Sequence, residues 1–368
     1  MNFMRFNAAL LLLSAVLLGR SVADEVPDRF GLLTPLGDGV EAGMTLVWQT
    51  SDRSGAKNEL SASFDFLIGK PVFGGTMFLY LEGSSAPVES GVSNRFPDAN
   101  GDMGSALDKD GEARLQVSEF FYHHPVWPGK LSVGLLNPAS GLDQSEIAND
   151  EASQFLAAPL VNNPTIGFPD YTLGVIFHDD EERYSLVATS SHGLGDNPSV
   201  SYDELIEVDG EGKGVFLGAE IFEYTQPFSW RLGAWLNSAD HPLLSDESET
   251  ESSYGLYTVL ERALGDIRWS SRLGLANPEV SEAAWFVSLA LDSSYPWGVV
   301  GLGFAYTGLS SELSTERDGQ WLVEAYLRNR LMRGVECTPS LQYHSRSISD
   351  DGTQPAGWVG SLRFTLAF

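Results

Sequence analysis

The fold is decided by the closing stretch of the chain, WVGSLRFTLAF at residues 358–368. One set of alternate positions is apolar apart from a glycine, and the other carries Arg363 with two hydroxyl side chains. Such an alternation predicts a β-strand with one apolar and one polar face. A strand that ends on an aromatic residue, Phe368, suits the closing strand of a transmembrane β-barrel. An ordinary sandwich strand remains the alternative for this stretch alone.

The first residues have the composition of a secretory signal. Arg5 supplies a positive charge, residues 8–18 form an apolar run, and Ser21, Val22 and Ala23 resemble a cleavage site. The run is too short for a transmembrane helix, and no other stretch is apolar over the roughly 18 residues that a helix needs. We therefore predict a cleaved signal peptide at residues 1–23 and a single exported domain at residues 24–368.

The composition narrows the class of protein. A net charge of −28 argues against a nucleic-acid partner. With 43% hydrophobic residues, 11% aromatic residues and 38 glycines, the chain is typical of a large β protein rather than a disordered one. Its single cysteine, Cys337, excludes an internal disulfide framework, and we interpret it as a small packing residue.

Alternation recurs along the whole mature chain. It predicts sixteen strands, at residues 41–50, 59–68, 74–82, 113–123, 130–137, 171–178, 183–190, 213–223, 229–237, 254–261, 266–275, 283–291, 299–307, 320–330, 334–344 and 357–368. In strand 113–123 the pattern fails at Glu119, which indicates a β-bulge.

The connections between these strands alternate in length. Those after odd-numbered strands are mostly long and acidic, such as 83–112 and 138–170, whereas those after even-numbered strands are short throughout. A sandwich has no reason to alternate in this way. An outer-membrane barrel does, because its outer loops are long and its periplasmic turns are tight. The sequence thus predicts an all-β fold: a transmembrane antiparallel β-barrel of about sixteen strands, with both termini in the periplasm.

Charged residues should share the polar parity that lines the lumen, because Arg or Lys facing mid-bilayer lipid costs about 2–4 kcal/mol. Pro and aromatic residues cluster in predicted short turns, at 125–128, 226–228 and 295–297. We interpret these aromatics as an interfacial girdle; the alternative is that they are ordinary turn residues. The predicted lumen residues are Arg114, Glu220, Arg231, Trp235, Tyr257, Glu261, Arg268, Arg272, Glu324, Arg328, Arg330 and Arg363.

Three runs of the chain form distinctive motifs: Ala-Asn-Asp-Glu…Gln-Phe-Leu within 148–156, Val-Asn-Asn-Pro at 161–164 and Pro-Asp-Tyr-Thr-Leu-Gly-Val at 169–175. Together with 254–257 and 301–310, they resemble the carbohydrate-selective porin family, the OprB-like outer-membrane porins. The resemblance covers most of the chain from about Phe30 onward. It implies a sixteen-stranded outer-membrane pore that passes small neutral sugars by diffusion.

The resemblance also gives segment 138–170 a role. In such porins the loop after the fifth strand often folds inward, so we predict a constriction loop here, with Asn149, Asp150 and Glu151 in it. A loop lying over the mouth is the alternative. Residues 145–156 are expected to form a short helix, with Ser145 as N-cap and Glu146 in its first turn.

The lumen residues would then bind sugar hydroxyls, and Trp235 and Tyr257 would stack on a sugar ring. Alternatively, the charges only pair across the barrel and keep it wet. With acidic outer loops and arginines in the lumen, we expect neutral mono- or disaccharides to pass and neither ion sign to be strongly favoured. Expected partners are outer-membrane lipid, small sugars, the barrel-assembly machinery through the C-terminal strand, and further copies in a homotrimer, if the protein is not a monomer.

No catalytic group, cofactor or metal is predicted, because no zinc-binding or nucleophile-elbow motif occurs. Residues 98–110 resemble a calcium loop, but Met103 replaces the required glycine, so we interpret them as a solvated loop. Two other classes stay open: an outer-membrane hydrolase with a Ser/His pair, and a secreted sugar-binding or adhesive β protein. The latter would need a second layer to cover its apolar face.

Overall fold

The computed structural model describes residues 34–37, 39–104, 106–108, 110–181, 183–195, 200–210, 212–225, 227–313, 319–345, 347–349, 352–354 and 356–368. The predicted signal peptide, residues 1–23, lies outside the described residues. Across the described ranges, none of the helices has the length and apolar character needed to cross a membrane.

Within the described residues, sixteen antiparallel strands form the wall of a closed barrel. They are β1 Val40–Ser51, β2 Glu59–Val72, β3 Gly75–Ser84, β4 Leu115–Val126, β5 Gly129–Leu136, β6 Thr172–Asp179, β7 Tyr184–Ser190, β8 Val215–Thr225, β9 Phe228–Pro242, β10 Thr250–Leu264, β11 Ile267–Ala276, β12 Ala283–Tyr295, β13 Gly298–Leu309, β14 Gly319–Met332, β15 Val335–His344 and β16 Gly357–Ala367. A short strand, Thr34–Gly37, pairs with the start of β1. A small hairpin, Ser347–Ser349 with Gly352–Gln354, lies in the last loop.

The barrel closes through its first and last strands. β16 pairs with β1 from Val359 opposite Ser51 to Ala367 opposite Gly43. Every wall strand therefore has a neighbour on both sides, which satisfies the backbone without leaving a sheet edge. The predicted fold class is confirmed, since each of the sixteen predicted strands corresponds to one strand of the wall.

The largest boundary difference is at β9, which ends at Pro242 instead of the predicted 237. The ladder with β10 continues there, with His241 opposite Glu251 and Pro242 opposite Thr250. Beyond the apolar part of the wall both faces of the hairpin are polar, so hydrophobic alternation disappears although the hydrogen bonding continues. Alternation marks the membrane part of a strand, not its full length.

The wall has its apolar face outside and its polar face inside, as predicted. On β11, Ile267, Leu273 and Leu275 are exposed, whereas Ser270 and Arg272 are buried. The arrangement is the reverse of a water-soluble barrel and requires an apolar solvent around the wall.

Aromatic side chains mark both rims of this apolar belt. On β12, Trp285 and Tyr295 both point outward, and each stacks on an aromatic neighbour, Tyr306 at 4.8 Å and Trp297 at 4.9 Å between ring centroids. The ten-residue separation corresponds to roughly 33 Å of strand, or about 25 Å along the axis of a barrel tilted by about 40°. That is the height of the apolar band in outer-membrane barrels. Trp127, in the girdle predicted at the short turns, is 94% exposed.

The predicted bulge in β4 is present. Tyr80 pairs with Glu119 but the next residue, Leu81, pairs with Val117, so Ser118 is the extra residue. The bulge brings Glu119 within reach of the chain leaving β5, where its carboxylate accepts a 2.9 Å hydrogen bond from the Asn137 N–H.

The ladder between β4 and β5 covers only part of β4. Their pairing stops at Phe120 opposite Leu135, because the chain turns into the barrel after β5. The loop after β7 covers this seam from outside: the Tyr202 hydroxyl lies 3.1 Å from both the N–H and the carbonyl oxygen of Val117. Leu205 of the same loop packs with Leu135.

The apolar belt makes a testable prediction. Leu289, halfway along β12, is 44% exposed and faces outward between Ser271 and Phe304. Leu289→Arg should destabilise the assembled barrel by about 2–4 kcal/mol, because a guanidinium would lie at mid-bilayer depth. Tyr254→Arg, on the same face but near the loop end of β10, should cost about 0–1 kcal/mol. The comparison uses the temperature at which the compact, heat-modifiable form is lost in detergent gels; equal effects at both sites would contradict a lipid-facing belt.

Candidate functional site: the barrel lumen

The segment between β5 and β6, residues 137–171, lies inside the barrel, and we call it the inner loop. Its side chains Ile147, Phe155 and Leu160 are buried against inward residues of β12, β13 and β14, on the far wall. The Phe155 ring meets Tyr326 edge-on, with 5.0 Å between centroids. Leu142 and Ile166 pack against a second cluster on β6 to β10. The loop thus crosses the lumen and is held along the wall.

The helix predicted at residues 145–156 is absent. The structure contains only a 3-10 turn, Pro138–Gly141, and a short helix, Ala158–Val161, in this loop. Ser145 does not act as an N-cap, because its hydroxyl and the Glu146 N–H both donate to the Glu261 carboxylate, at 2.7 and 2.9 Å. A glutamate of the wall thus binds the start of the segment in a non-helical conformation.

Arg272 of β11 binds four residues of the inner loop, and one of its acceptors is the Ala148 carbonyl. It is 1% exposed, and it donates to the Asp143 carbonyl at 2.9 Å, to the Asn149 side chain at 2.8 Å and to the Leu160 carbonyl at 3.2 Å. Its Nε also lies 3.2 Å from the Asp143 carboxylate. Burial raises the pKa of Asp143 to about 6, against the opposing effect of Arg272. All hydrogen bonds that this guanidinium makes go to the inner loop.

A second set of bonds holds the tip of the loop. The Glu324 carboxylate accepts from the N–H groups of Leu156, at 3.0 Å, and Ala157, at 2.8 Å. Arg363 donates to the Gln154 carbonyl at 2.8 Å and to the Glu151 carbonyl. Arginines of the wall bind loop carbonyls and glutamates bind loop N–H groups, so each wall residue matches the polarity of the backbone group it meets. Arg328 and Thr365 bind further loop carbonyls, of Ser153 and Ala152.

Glu220 of β8 links the loop to two predicted lumen residues. Its carboxylate accepts from the Asp143 N–H at 2.9 Å, from the Tyr257 hydroxyl at 2.8 Å and from Arg231 at 2.8 Å. Opposite charges on the inner faces of the neighbouring strands β8 and β9 are therefore paired, Glu220 with Arg231.

The structure corrects the expectation for Trp235 and Tyr257. They are 4% and 2% exposed, packed with Leu142 and Ile166 of the inner loop, and Trp235 stacks on Phe216 at 6.2 Å. Neither ring presents a free face on which a sugar could stack. Arg272, Arg363, Glu220 and Glu324 are likewise buried under the loop rather than open to solute.

The remaining predicted residues lie elsewhere in the barrel. Arg268 pairs with Asp292 at 2.8 Å on the wall and stays partly exposed. Arg114 donates to the Leu194 carbonyl at 3.2 Å. Arg330 is exposed at the short-turn end of β14. Binding roles for these residues remain predictions.

A second loop also enters the lumen, which the sequence did not indicate. Residues 85–114 contain the short helix Val92–Arg95 and the 3-10 turn Pro97–Ala99. The side-chain amides of Gln49 and Gln342 both donate to the Ala99 carbonyl, at 3.2 and 3.0 Å. The Gly101 N–H donates to the Leu156 carbonyl at 2.8 Å, which joins the two loops. The segment is polar and aperiodic, so no sequence signal distinguished it from an exterior loop.

The residues that resembled a calcium loop have separate partners. Asp98 accepts from Gln320 at 3.2 Å and Asp102 from Ser63 at 2.6 Å, whereas Asp108 accepts from backbone N–H groups of its own turn. Within the described parts of the chain, no three His, Cys, Asp or Glu side chains are grouped as metal ligands.

Acidic side chains face each other between the loop tip and the wall of β2 and β3. We call this group the acidic passage; its members are Asp65, Glu82, Asp102, Asp150 and Glu151. Glu82 is buried, and the other four are partly buried. Burial, reinforced by neighbouring Asp150, raises the pKa of Glu151 to about 7. Burial and then the Glu151 charge raise the pKa of Asp102.

The parity of β2 and β3 could have revealed this group. Asp65 shares its face with Ser61 and Ser63, and Glu82 shares its face with Tyr80, whose hydroxyl donates to Asp65. Tyr80 also lies 6.4 Å, between ring centroids, from Tyr171 at the end of the inner loop.

Comparison with known sequences gives little. No protein-family model matches the chain. An uncharacterized protein of Aquifex aeolicus (strain VF5) is 32% identical over 108 residues, which is 29% of this chain. The match spans 35% of that relative's length.

Comparison of structures gives much more. Pseudomonas putida OprB, in its high-pH structure, has a TM-score of 0.63 at 13% identity, over 90% of this chain and 94% of that one. A mutant of the Rh. blastica porin has a TM-score of 0.51 at 10% identity, over 89% and 99%. A loop-deletion mutant of OmpT, an outer membrane protein of Vibrio cholerae, has a TM-score of 0.51 at 11% identity, over 89% and 98%. The resemblance found in the sequence motifs is thus confirmed at the level of the fold: the chain has the fold of outer-membrane porins, OprB among them.

Proposed function

We propose that this protein is an outer-membrane porin that admits small carbohydrates by passive diffusion. The observation that carries the proposal is a closed barrel with an apolar exterior, a polar interior and a loop tied across its lumen. Such a structure separates a water-filled path from lipid, which is what a diffusion pore requires.

The orientation follows from the loops. Long connections follow the odd-numbered strands, and the turns after even-numbered strands are short, as at Gly265 and Gly334, whose φ angles of +66° and +73° suit tight turns. In outer-membrane barrels the short turns face the periplasm. Both ends of the barrel domain then lie in the periplasm, and the acidic loops face the outside.

The inner loop acts as the constriction. It is fixed by buried bonds to β8, β10, β11, β14 and β16, so a passing solute meets a rigid narrowing instead of a mobile loop. Asp150 and Glu151 at its tip border the remaining opening, together with hydroxyl and carboxyl groups of β2 and β3. Such groups exchange hydrogen bonds with sugar hydroxyls at little cost.

Carbohydrate as the solute rests on two supports: the motif resemblance to carbohydrate-selective porins, and the fold likeness to Pseudomonas putida OprB. Tyr80 and Tyr171, near the acidic passage, take over the stacking role first assigned to Trp235 and Tyr257. Diffusion needs no catalytic group, and the proposal includes none. Outer-membrane lipid, a homotrimeric assembly and recognition of β16 by the barrel-assembly machinery belong to the same proposal.

The proposal predicts sugar uptake by reconstituted protein. Liposomes that contain the purified protein should take up glucose several times faster than empty liposomes, and a large oligosaccharide should be excluded because the inner loop narrows the path. Liposomes made with protein unfolded by heat serve as the control. Uptake no faster than in empty liposomes would refute the pore, whereas ion conductance without sugar uptake would refute only the carbohydrate assignment.

A further inference from the structure

We infer that two glycines of the wall, Gly274 of β11 and Gly303 of β13, set how deeply the inner loop seats against the wall and thereby limit the size of solute that passes. They are positioning residues, because they act through the loop and do not touch a solute themselves. The inference rests on the proposed porin function and deepens it by naming residues that fix the size limit of the constriction.

The first close approach is at Gly303, which faces inward and is buried. A Cβ atom built on Gly303 would lie 2.6 Å from a methyl carbon of Leu160 and 2.7 Å from the ring edge of Phe155. Both of these inner-loop side chains are 0% exposed. Because packed carbon atoms rest about 3.5–4.0 Å apart, no larger residue fits at this position while the loop keeps its place.

The second close approach is at Gly274, which also faces inward. A Cβ atom built there would lie 2.1 Å from the Thr165 hydroxyl oxygen and 2.6 Å from the side-chain oxygen of Asn163. These two side chains are buried and bound to each other: the Asn163 oxygen accepts from the Thr165 hydroxyl at 2.7 Å and from the Thr165 N–H at 3.1 Å. Turning either side chain away would break these bonds, so the whole segment would have to move instead.

Each glycine lies beside a wall residue that binds the loop. Gly274 follows Arg272 by two residues on the same inward face, and Arg272 donates to carbonyls of the loop. Gly303 is paired across strands with Glu324, whose carboxylate accepts from two N–H groups of the loop. The charged side chain supplies the bonds, and the neighbouring glycine leaves the space that lets the loop come near enough to form them.

A methyl group at either glycine should therefore displace the inner loop. The built distances at Gly274 and Gly303 fall short of ordinary contact by about 1 Å. β11 and β13 are held by continuous ladders on both sides, so the loop is the part that yields, and it yields toward the lumen. A loop that moves inward takes cross-section from the path, and a larger solute is slowed more than a smaller one.

The test measures uptake of arabinose and glucose by liposomes that contain wild-type protein or Gly303→Ala. Both sugars are neutral and differ in size, so the ratio of glucose to arabinose uptake reports the bore. The ratio should fall about twofold in the variant, because glucose is nearer the size limit. Fewer assembled pores would lower both rates in proportion and leave the ratio unchanged. Gly274→Ala should change the ratio in the same direction.

A second substitution checks that contact with the loop is the cause. Leu160→Ala removes the Leu160 atoms that lie 2.6 and 3.0 Å from the built Cβ, so combining it with Gly303→Ala should return the ratio toward the wild-type value. The Leu160 carbonyl, which Arg272 binds, is kept. The matched control is Gly360→Ala on β16, where a built Cβ would lie 3.7 Å from Thr50, an ordinary contact. It should leave the ratio unchanged.

An unchanged ratio in both glycine variants, with the heat-modifiable form still present, would overturn the inference and leave the pore intact. A raised ratio would also overturn it, because the methyl group would then release the loop instead of lifting it. If Gly303→Ala does not assemble, assembly should return with Leu160→Ala; continued failure would mean that the wall itself needs this glycine, against the inference. Wild-type protein that takes up neither sugar faster than empty liposomes would refute the porin function itself.

Discussion

Arg272→Leu should lower the free energy of unfolding by about 3–5 kcal/mol and raise the open-channel conductance. The substitution leaves the Asp143 carboxylate buried without its cation, and it leaves the loop carbonyls of Asp143 and Leu160 without a donor. Both losses act on the inner loop, so the loop should loosen and the passage widen. Thermal loss of the heat-modifiable form measures the first effect, and single-channel recordings measure the second.

The pH dependence of that variant identifies the cause. Without Arg272 the pKa of Asp143, already raised to about 6 by burial, should rise further. When the pKa of a carboxyl is higher in the folded than in the unfolded protein, the free energy of unfolding falls as pH rises above the unfolded pKa. For an aspartate that value is about 4. The variant should therefore be closer to wild type in acid than at neutral pH. Arg272→Leu combined with Asp143→Leu should recover part of the loss and remove this pH dependence.

A control separates the buried pair from ordinary ion pairs. Arg183 pairs with Asp179 at 2.7 Å at a short turn, and its side chain is 58% exposed. Arg183→Leu should cost at most about 1 kcal/mol and leave conductance unchanged. A similar loss in both single variants would mean that the inner loop does not depend on Arg272.

Glu324→Ala should have the second largest effect, a loss of about 3 kcal/mol with unstable, fluctuating channel current. Glu324 is fully buried and holds the N–H groups of Leu156 and Ala157, which have no water to replace it. Glu324→Gln keeps one acceptor oxygen in place and should cost clearly less. Thermal unfolding in detergent and current noise give the two measurements.

Thr365→Val supplies the lower reference point, because it removes a single 2.9 Å hydrogen bond to the Ala152 carbonyl and should cost about 1 kcal/mol. If Glu324→Ala were no worse than Thr365→Val, the tip of the inner loop would be held by packing, through Phe155 and Leu160, and not by its bonds to the wall.

Strand β11 shows which features of the site could be predicted from the sequence. The inward direction of Arg272 follows from a period of two, which is a local property of the strand, and it was predicted correctly. What Arg272 binds does not follow, because the Asp143 and Ala148 carbonyls lie 129 and 124 residues away in the chain. A register of strands gives the direction of a side chain, but only the path of the inner loop gives its partner.

The two errors within the site have the same origin. Ser145 carries a local helix-start signal, yet Glu261, 116 residues further on, binds its hydroxyl. Trp235 and Tyr257 were placed correctly on the inner face, but nothing in their own strands indicates that Leu142 and Ile166 cover them. Tertiary contacts of an irregular segment decided both outcomes, and irregular segments have no periodicity to read.

Because of the seam between β4 and β5, neighbouring strands are not held together equally strongly around the barrel. Along most of the circumference two strands hold each other through a continuous ladder, so opening the wall requires breaking many bonds at once. At Val117 one tyrosine hydroxyl replaces that ladder. Separating β4 from β5 there requires breaking the contacts of one exterior loop, so we expect local opening at Val117 to cost less free energy than opening a continuous ladder.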